Sequence, residues 1–462
     1  MKKLIKENLK YIIIFALLMG WILLSSLTSH DFFWGYSFSF NTANGQIPYK
    51  DFNMIATPFS TLILAFFLFI FGKSIHTYAI IYSLLITGFT ILLDKLYKEK
   101  GWLMLFLLWS PFCIQPVFIA TSPYNILVIF LSLILIYLEK KQKSPLIIGP
   151  VLALTFFTKQ NIGILLIIAE IIFSYKNKKD RMQKAIGFLG ITSIFLFYFI
   201  LTKSLYPFIN QTFLGLFDFA KENTTYHGIF FYLSLLLIII DIILFIKNKT
   251  IENAILLANT FLAISVYDGT HFLLTLATST LLITNTKKIS LKKINFPILL
   301  LSIESILIGV IIFQNFSKEH IYPTKIKYLN YFYHPKSVII ENKKLKEYIE
   351  EKNYKNIVIF DSNSYYYKIT NEWKVNKYLD LMNEGNYGKN GSIEAINEIK
   401  QGKEEAVYFF NLKLVEEFKK QKNSQLDIKT LKWFLKNAKK IDEIGKFSIY
   451  KYQVKKEKDH SK

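Results

Sequence analysis

Two carboxylates stand where the first long apolar run of the chain gives way to polar sequence. Asp31 follows that run directly, and Asp51 comes 20 residues later, behind a Gly-Gln-Ile-Pro-Tyr-Lys turn. An ionisable group at a membrane boundary is costly to keep and is a functional candidate by default; the chemistry open to a carboxylate is proton transfer or contact with a polar ligand. Both positions also have plainer readings. Residues 33–44, with Phe33, Tyr36, Phe40 and Asn44 near one face, read as a short helix that Asp31 would cap. Asp51 reads equally as a turn residue after Pro48 and Tyr49. Two further polar points interrupt apolar sequence. Lys159, in FFTKQN, sits at a turn between two short apolar runs, where a lone lysine must be paired or must snorkel to the interface. The turn YDGTH (267–271) puts Tyr267, Asp268 and His271 on one face, either as a site or as an ordinary polar turn.

The elements that hold these residues are set by composition. Of 462 residues, 52% are hydrophobic and 42 are Phe, with a mean hydropathy of +0.30; an ordinary soluble domain is less apolar. The net charge of +22 does not point to nucleic acid, because the lysines punctuate apolar runs. Clusters at Lys2/Lys3/Lys6/Lys10, Lys95/Lys98/Lys100, Lys140/Lys141/Lys143, Lys176/Lys178/Lys179/Arg181/Lys184, Lys247/Lys249 and Lys287/Lys288/Lys292/Lys293 alternate with loops that hold only Lys50, Lys73, Lys159, Lys203 and Lys221. That is 21 cations against 5, and the bias of short loops toward positive charge on the cytoplasmic side orients the chain with its N-terminus inside. About eleven spans are expected, near 11–28, 77–93, 102–119, 123–138, 145–157, 161–175, 187–202, 229–246, 254–267, 271–285 and 295–313. The stretch Tyr11 to Leu27 lacks a small-residue cleavage site and reads as the first span rather than a signal peptide. Several spans are shorter than the roughly 20 residues a helix needs to cross hydrocarbon. The shortest meet at Lys159 and Asp268, which implies either a polar cavity reaching into the membrane or a locally thinned bilayer.

The apolar run Pro58 to Gly72 would invert every later lysine cluster if it crossed the membrane. It is therefore read as a helix lying in the outer face, within a long external loop over 29–76. The expected fold class is mainly α: a polytopic membrane module over 1–315 followed by an extracytoplasmic α/β domain over 316–462. In that domain NIVIFD (356–361), EAVYFF (405–410) and FSIYKY (447–452) read as strands, and 341–352 and 427–440 as helices. The single cysteine, Cys113, lies in an expected span, and the sequence offers no zinc-type cluster, no phosphate-cradling glycine loop and no nucleotide motif. YLDLMNEGNYGKNG (378–391) reads as a structural turn with glycines at positive φ, or as an acceptor loop using Asp380, Asn386 and Asn390.

An acidic residue after the first span, an aromatic helix, a G-x-x-P-Y-x-D-F segment and a helix beginning at Pro58 and ending in Phe71-Gly72 together resemble the GT-C class of membrane glycosyltransferases. The likeness is strongest to its protein mannosyltransferase and aminoarabinose transferase branch. It covers residues 1–300 in architecture, with its specific motif confined to about 31–72. The resemblance implies an inside N-terminus, a catalytic carboxylate at Asp31, and an acidic residue and apolar helix matching Asp51 and the helix from Pro58. It also implies a donor made of a sugar on a polyprenyl phosphate. Lys159 would then bind the lipid phosphate, as would His271 oriented by Asp268, with Tyr267, Tyr36 and Asp51 completing the substrate contacts. Burial beside Phe32, Phe33 and Trp34 would make Asp31 a better base. Many members carry an acid in the loop here read as TSPYN (121–125); this chain has Ser122, Tyr124 and Asn125 instead. That departure argues against a metal-dependent mechanism and leaves Asp31 without its usual partner there.

The expectation is a cell-membrane, multi-pass transferase without metal or other cofactor, with its C-terminal domain outside. It would act on an envelope glycan, glycolipid or protein, among membrane lipids and without nucleic acid. The rival classes are a transporter or flippase of lipid-linked sugars and a non-catalytic envelope-assembly protein. A transporter would be expected to show more charge within its spans, where Asp241 and Glu304 lie near span middles, and no inverted repeat is visible.

Overall fold

The computed structural model describes residues 2–24, 30–109, 116–218, 228–264, 266, 268–287, 289, 295–317, 321–323, 327–329, 333–354, 357–361, 364–372, 377, 388–401, 406–411, 413 and 428–452. The chain forms two compact units. One comprises Met1–Gly45, Ala56–Leu201 and His227–Pro335; the other comprises Gln46–Ile55, Thr202–Tyr226 and Lys336–Lys462.

The first unit is helical. In chain order its helices are α1 (Lys2–Leu24), α2 (His30–Ala43), α3 (Phe59–Phe71), α4 (Ile75–Tyr97), α5 (Glu99–Leu108), α6 (Val117–Ala120), α7 (Pro123–Lys140), α8 (Pro145–Phe156), α9 (Gln160–Phe173) and α10 (Lys178–Leu201). After the second unit's helix α11 (Leu205–Ile209) follow α12 (Ile229–Lys247), α13 (Ile251–Thr260, continued by a 3-10 turn Phe261–Ile264), α14 (Gly269–Thr286) and α15 (Phe296–Ser317). Local chemistry sets several starts. Ser74 Oγ accepts the Thr77 N–H at 3.2 Å, Thr250 Oγ1 accepts that of Asn253 at 3.2 Å, and Asp268 Oδ1 accepts that of His271 at 2.7 Å. Each satisfies an N–H that the first helical turn leaves without a partner. Pro123 and Pro145 open α7 and α8, where a missing N–H costs nothing.

Among the described residues, four helices, α4, α7, α10 and α12, are long and apolar enough to cross a membrane. In α12 the mean hydropathy reaches 3.0 while only 22% of its apolar window is buried against the rest of the chain. A helix that apolar, with its outer face uncovered by protein, is stable only against lipid; this is a membrane protein. Shorter apolar helices cover other expected spans, among them α8 with 12 residues and α9 with 14. Helix α3 has 13 residues, so at 1.5 Å per residue it extends only about 20 Å, against the roughly 30 Å of bilayer hydrocarbon. It exposes Phe66, Phe69, Ile70 and Phe71.

Polar contacts fix the packing of the helices. Lys184 Nζ reaches Glu139 Oε1 at 2.8 Å and Glu170 Oε2 at 2.6 Å. Asp94 accepts from Lys10 and Tyr11 at 2.5 Å each and from Trp102 Nε1 at 2.9 Å. Asp241 accepts from Ser279 Oγ at 3.0 Å, and Glu304 from Trp21 Nε1 at 3.1 Å. Helices α8 and α10 approach until backbone meets backbone: a Cβ on Gly149 would lie 2.1 Å from the Lys184 carbonyl oxygen. Gly149→Ala is therefore expected to destabilise by at least the 1–3 kcal/mol, roughly, of an overpacked core. Gly190→Ala, whose Cβ meets nothing within 4 Å, should be stabilising by about 0.5–1 kcal/mol through helix propensity. Thermal unfolding of the two purified variants in detergent should move in opposite directions.

The second unit is α/β. Its strands β3 (Ile357–Phe360), β4 (Val407–Asn411), β5 (Ala438–Ile444) and β6 (Phe447–Tyr452) form one sheet in the order β3-β4-β6-β5, following a separate hairpin of β1 (Ile321–Pro323) and β2 (Tyr333–Pro335) in the first unit. Strands β3 and β4 run parallel and the other pairs antiparallel. Helices α16 (Lys336–Glu351), α17 (Ser364–Asn371), α18 (Gly391–Gln401) and α19 (Ile428–Asn437) accompany the sheet. Its core gathers Val358, Phe360, Tyr408, Phe410, Leu431 and Phe434. The helix read over 427–440 ends at Asn437, because Ala438–Ile444 pairs with β6 instead. Segments from the N-terminal half complete this unit. Gln211 accepts the Met54 N–H at 2.9 Å and donates to the Tyr49 carbonyl at 2.8 Å, and Tyr49 packs on Phe208. Asn210 Oδ1 accepts the Lys389 N–H at 3.0 Å, beside Gly388 at φ +88°.

Candidate functional site

Asp31 occupies the first turn of α2, as the aromatic-helix pattern predicts, although the helix begins at His30 rather than at 33. A carboxylate in that turn interacts favourably with the helix dipole. The helix lies tightly on the start of α7. A Cβ on Gly35 would come 2.7 Å from Pro123 Cδ and 3.2 Å from the Tyr78 hydroxyl. On its aromatic side Phe32 meets Tyr78 and Tyr82 edge-on, with ring centroids 5.2 and 5.3 Å apart. Gly35→Ala is thus expected to push the Asp31 helix off α7, at a cost of about 1–3 kcal/mol. Its thermal midpoint in detergent should fall, and any activity that depends on Asp31 should fall with it.

Three more helix starts carry the remaining polar groups. Tyr124 and Asn125 lie in the first turn of α7, Lys159 caps α9, and Asp268 caps α14 with His271 in its first turn. Direct bonds join them. Lys159 Nζ donates to Asn125 Oδ1 at 2.6 Å and sits 5.3 Å from the centre of the Tyr124 ring. Asn125 Nδ2 donates to Thr121 Oγ1 at 2.7 Å and faces His271 Nε2 at 3.4 Å. His271 Nδ1 lies 3.0 Å from both oxygens of Asp268. Asn125 is fully buried and Lys159 and His271 nearly so, whereas the Asp268 carboxylate is half exposed.

The electrostatics bring Asp31 into the same group. Burial pushes the Lys159 ammonium down to about 7, and the negative charges of Asp268 and Asp31 oppose the fall. Burial alone would raise the Asp268 carboxyl. Its hydrogen bond to the His271 side chain and those from the N–H groups of His271 and Thr270 outweigh burial and hold it below its usual value. The structure therefore joins Lys159 to His271 and Asp268 through Asn125 at the N-termini of α7, α9 and α14, and the charge of Asp31 at the start of α2 acts on the ammonium. Because such ends carry positive dipole, the arrangement suits an anion beside a carboxylate that can take a proton.

Other expected site residues lie elsewhere. Tyr36 is buried farther along α2, and its hydroxyl donates to the Lys73 carbonyl at 2.7 Å, fastening α2 to the start of α4. Asp51 belongs to the second unit, where its Oδ2 accepts the Ile47 N–H at 2.7 Å and its own N–H returns to the Ile47 carbonyl at 2.9 Å. Tyr267, Cys113, Asp380 and Asn386 fall outside the described residues. Asn125 is the group that sequence reasoning noted only for not being an acid. Among the described residues no three His, Cys, Asp or Glu side chains gather as a metal site.

No family model matches the chain, and no curated protein matches its sequence. Among solved structures, the Archaeoglobus fulgidus oligosaccharyltransferase, crystallised with zinc and sulfate, aligns over 96% of this chain and 72% of its own, at 10% identity and a TM-score of 0.39. A likeness that loose assigns neither a family nor a residue role.

Proposed function

We propose that this protein is a membrane glycosyltransferase of the GT-C kind. It transfers a sugar from a polyprenyl phosphate to a cell-envelope glycan, glycolipid or protein at the outer face. The observation that supports this most directly is the convergence of Lys159, at the start of α9, with the starts of two further helices, α7 and α14, joined to it through Asn125 and His271, and with the charge of Asp31 acting on it. An apolar helical module gives a polyprenyl chain its solvent, and the polar helix ends give its phosphate a seat. The lysine census supports eleven crossings with a cytoplasmic N-terminus and an extracytoplasmic C-terminal domain.

In this reading the acceptor hydroxyl attacks the anomeric carbon and the bond from that carbon to the phosphate oxygen breaks. The bonding pair leaves with the polyprenyl phosphate. Asp31 takes the proton from the attacking oxygen. Lys159 and the N-termini of α7, α9 and α14 stabilise the charge that grows on the leaving phosphate, with Asp268 orienting His271 beside them. Attack opposite the leaving group inverts the anomeric centre.

The test is a transfer assay with purified protein in lipid nanodiscs, offered a panel of labelled polyprenyl-phosphate sugars and an envelope extract. Label should pass to the extract and unsubstituted polyprenyl phosphate should appear. Failure of transfer from every lipid-phosphate sugar, combined with protein-dependent movement of the labelled lipids between leaflets of proteoliposomes, would establish a transporter instead.

A further inference from the structure

Asn125 stands between the only two groups of the site whose hydrogen-bonding roles depend on one another. Its side chain is completely buried, and its amide has one orientation compatible with its neighbours. As an ammonium Lys159 can only donate, so the atom 2.6 Å from its Nζ is then the amide oxygen. The amide nitrogen is thereby directed at Thr121 Oγ1, at 2.7 Å, and at His271 Nε2, at 3.4 Å. On the far side of the imidazole, Nδ1 lies 3.0 Å from each oxygen of the Asp268 carboxylate. Two acceptors do not approach so closely, so Nδ1 bears a hydrogen. Nε2 then faces a donor and must accept, which means that it carries none.

We infer that Asn125 is a positioning residue that fixes the tautomer of His271 and the placement of the Lys159 ammonium as one unit. A hydrogen on Nε2 would set donor against donor. The relief open to Asn125 is to turn its amide over, which directs its NH2 group at the ammonium and forfeits the Lys159 bond. A proton on His271 and a seated Lys159 therefore exclude each other. Among the described residues, the charged and titratable groups facing this pair are Asp268 on the same helix as His271, Asp31 from α2 and Tyr124 from α7. An acid at position 125 would not do the same. Its carboxylate has no donor for Nε2, so the ring would take up a proton and the site would gain an imidazolium between two carboxylates. The consequence for function is that the amide keeps the cation placed for a lipid phosphate without raising the charge of the histidine beside it. That consequence rests on the transferase reading; the tautomer lock does not.

The experiment uses the full chain in nanodiscs with 15N-labelled histidine, the His271 signals being those lost in His271→Gln. At pH 6, where Lys159 is charged, wild type without substrate should show the neutral Nδ1–H tautomer. N125D should show both ring nitrogens protonated, and N125A a mixture of tautomers. In the transfer assay N125A should raise the donor KM about 10- to 100-fold, the span of a hydrogen bond to a charged group, with a much smaller change in kcat; N125S should recover part of the loss. An Nε2–H tautomer or an imidazolium in wild type would overturn the inference whether or not transfer is detected. So would wild-type spectra and donor KM in both N125A and N125D, and if the variants fail to fold, the wild-type spectrum alone decides.

Discussion

Replacing Asp31 by asparagine is expected to lower transfer about 10²- to 10⁴-fold, the range of a lost general base, while the protein remains folded. Asparagine keeps the size and one oxygen of the side chain and removes the ability to hold a proton. The competing role for Asp31 is structural, since it lies in the first turn of α2. A charge at that place is worth about 0.3–1 kcal/mol through the helix dipole, and asparagine is itself favoured at helix starts. The two roles therefore differ in scale. A structural Asp31 predicts a small fall in thermal midpoint with undiminished turnover. A catalytic Asp31 predicts the reverse, and kcat with saturating donor reads the difference. Gly35→Ala is the useful companion, because it perturbs the same helix through its contact with Pro123 and leaves the carboxylate present.

Lys159→Met is expected to raise the donor KM and lower kcat, with a combined loss in kcat/KM of about 10²- to 10³-fold, as for removal of one stabiliser of developing charge. Stability should move little or improve. The substitution leaves Asn125 Oδ1 without its donor, at a cost of about 1–3 kcal/mol, yet it also removes an ammonium held among buried groups. A site that becomes more stable as it loses function is one arranged for its ligand.

The pH dependence carries the same signature. With burial holding the ammonium at about 7, the free protein loses its cation as pH rises through that value, while a bound phosphate restores it. Donor binding should then take up a proton above pH 7, and the donor KM should rise about tenfold per pH unit there. Lys159→Arg, which stays charged, should abolish that rise even if its overall affinity is poorer.

Much of this site was readable from sequence because charge is scarce there. Asp31, Lys159 and Asp268 each interrupt apolar sequence at a helix start, where any ionisable group is conspicuous. Asn125 was not readable. It is a neutral amide, and its importance comes from bonds to residues 34 and 146 positions away, which no local pattern encodes. Tyr36 looked similar in kind to the site residues, but its hydroxyl meets a backbone carbonyl on the neighbouring helix. Asp51 closes a turn onto Ile47, in keeping with the turn reading of its Pro-Tyr-Lys-Asp context. In the fold, apolar periodicity located the strands β3, β4 and β6 closely, whereas the single span expected over 102–119 is interrupted, α5 ending at Leu108 and α6 starting at Val117. It missed β5, since AKKIDEI carries helix-forming lysine and glutamate and becomes a strand only through pairing with β6. The recruitment of 46–55 and 202–226 into the second unit was equally hidden, because Gln211 and Asn210 act on partners more than 150 residues distant.

The most direct measurement of the central claim is mass spectrometry of cell-envelope glycans, glycolipids and proteins from three strains of the source organism: wild type, a deletion of this gene, and the deletion complemented by the Asp31→Asn chain at wild-type membrane levels. A sugar modification present in wild type should be missing from both of the others. Restoration of that modification by Asp31→Asn would contradict the catalytic role of Asp31.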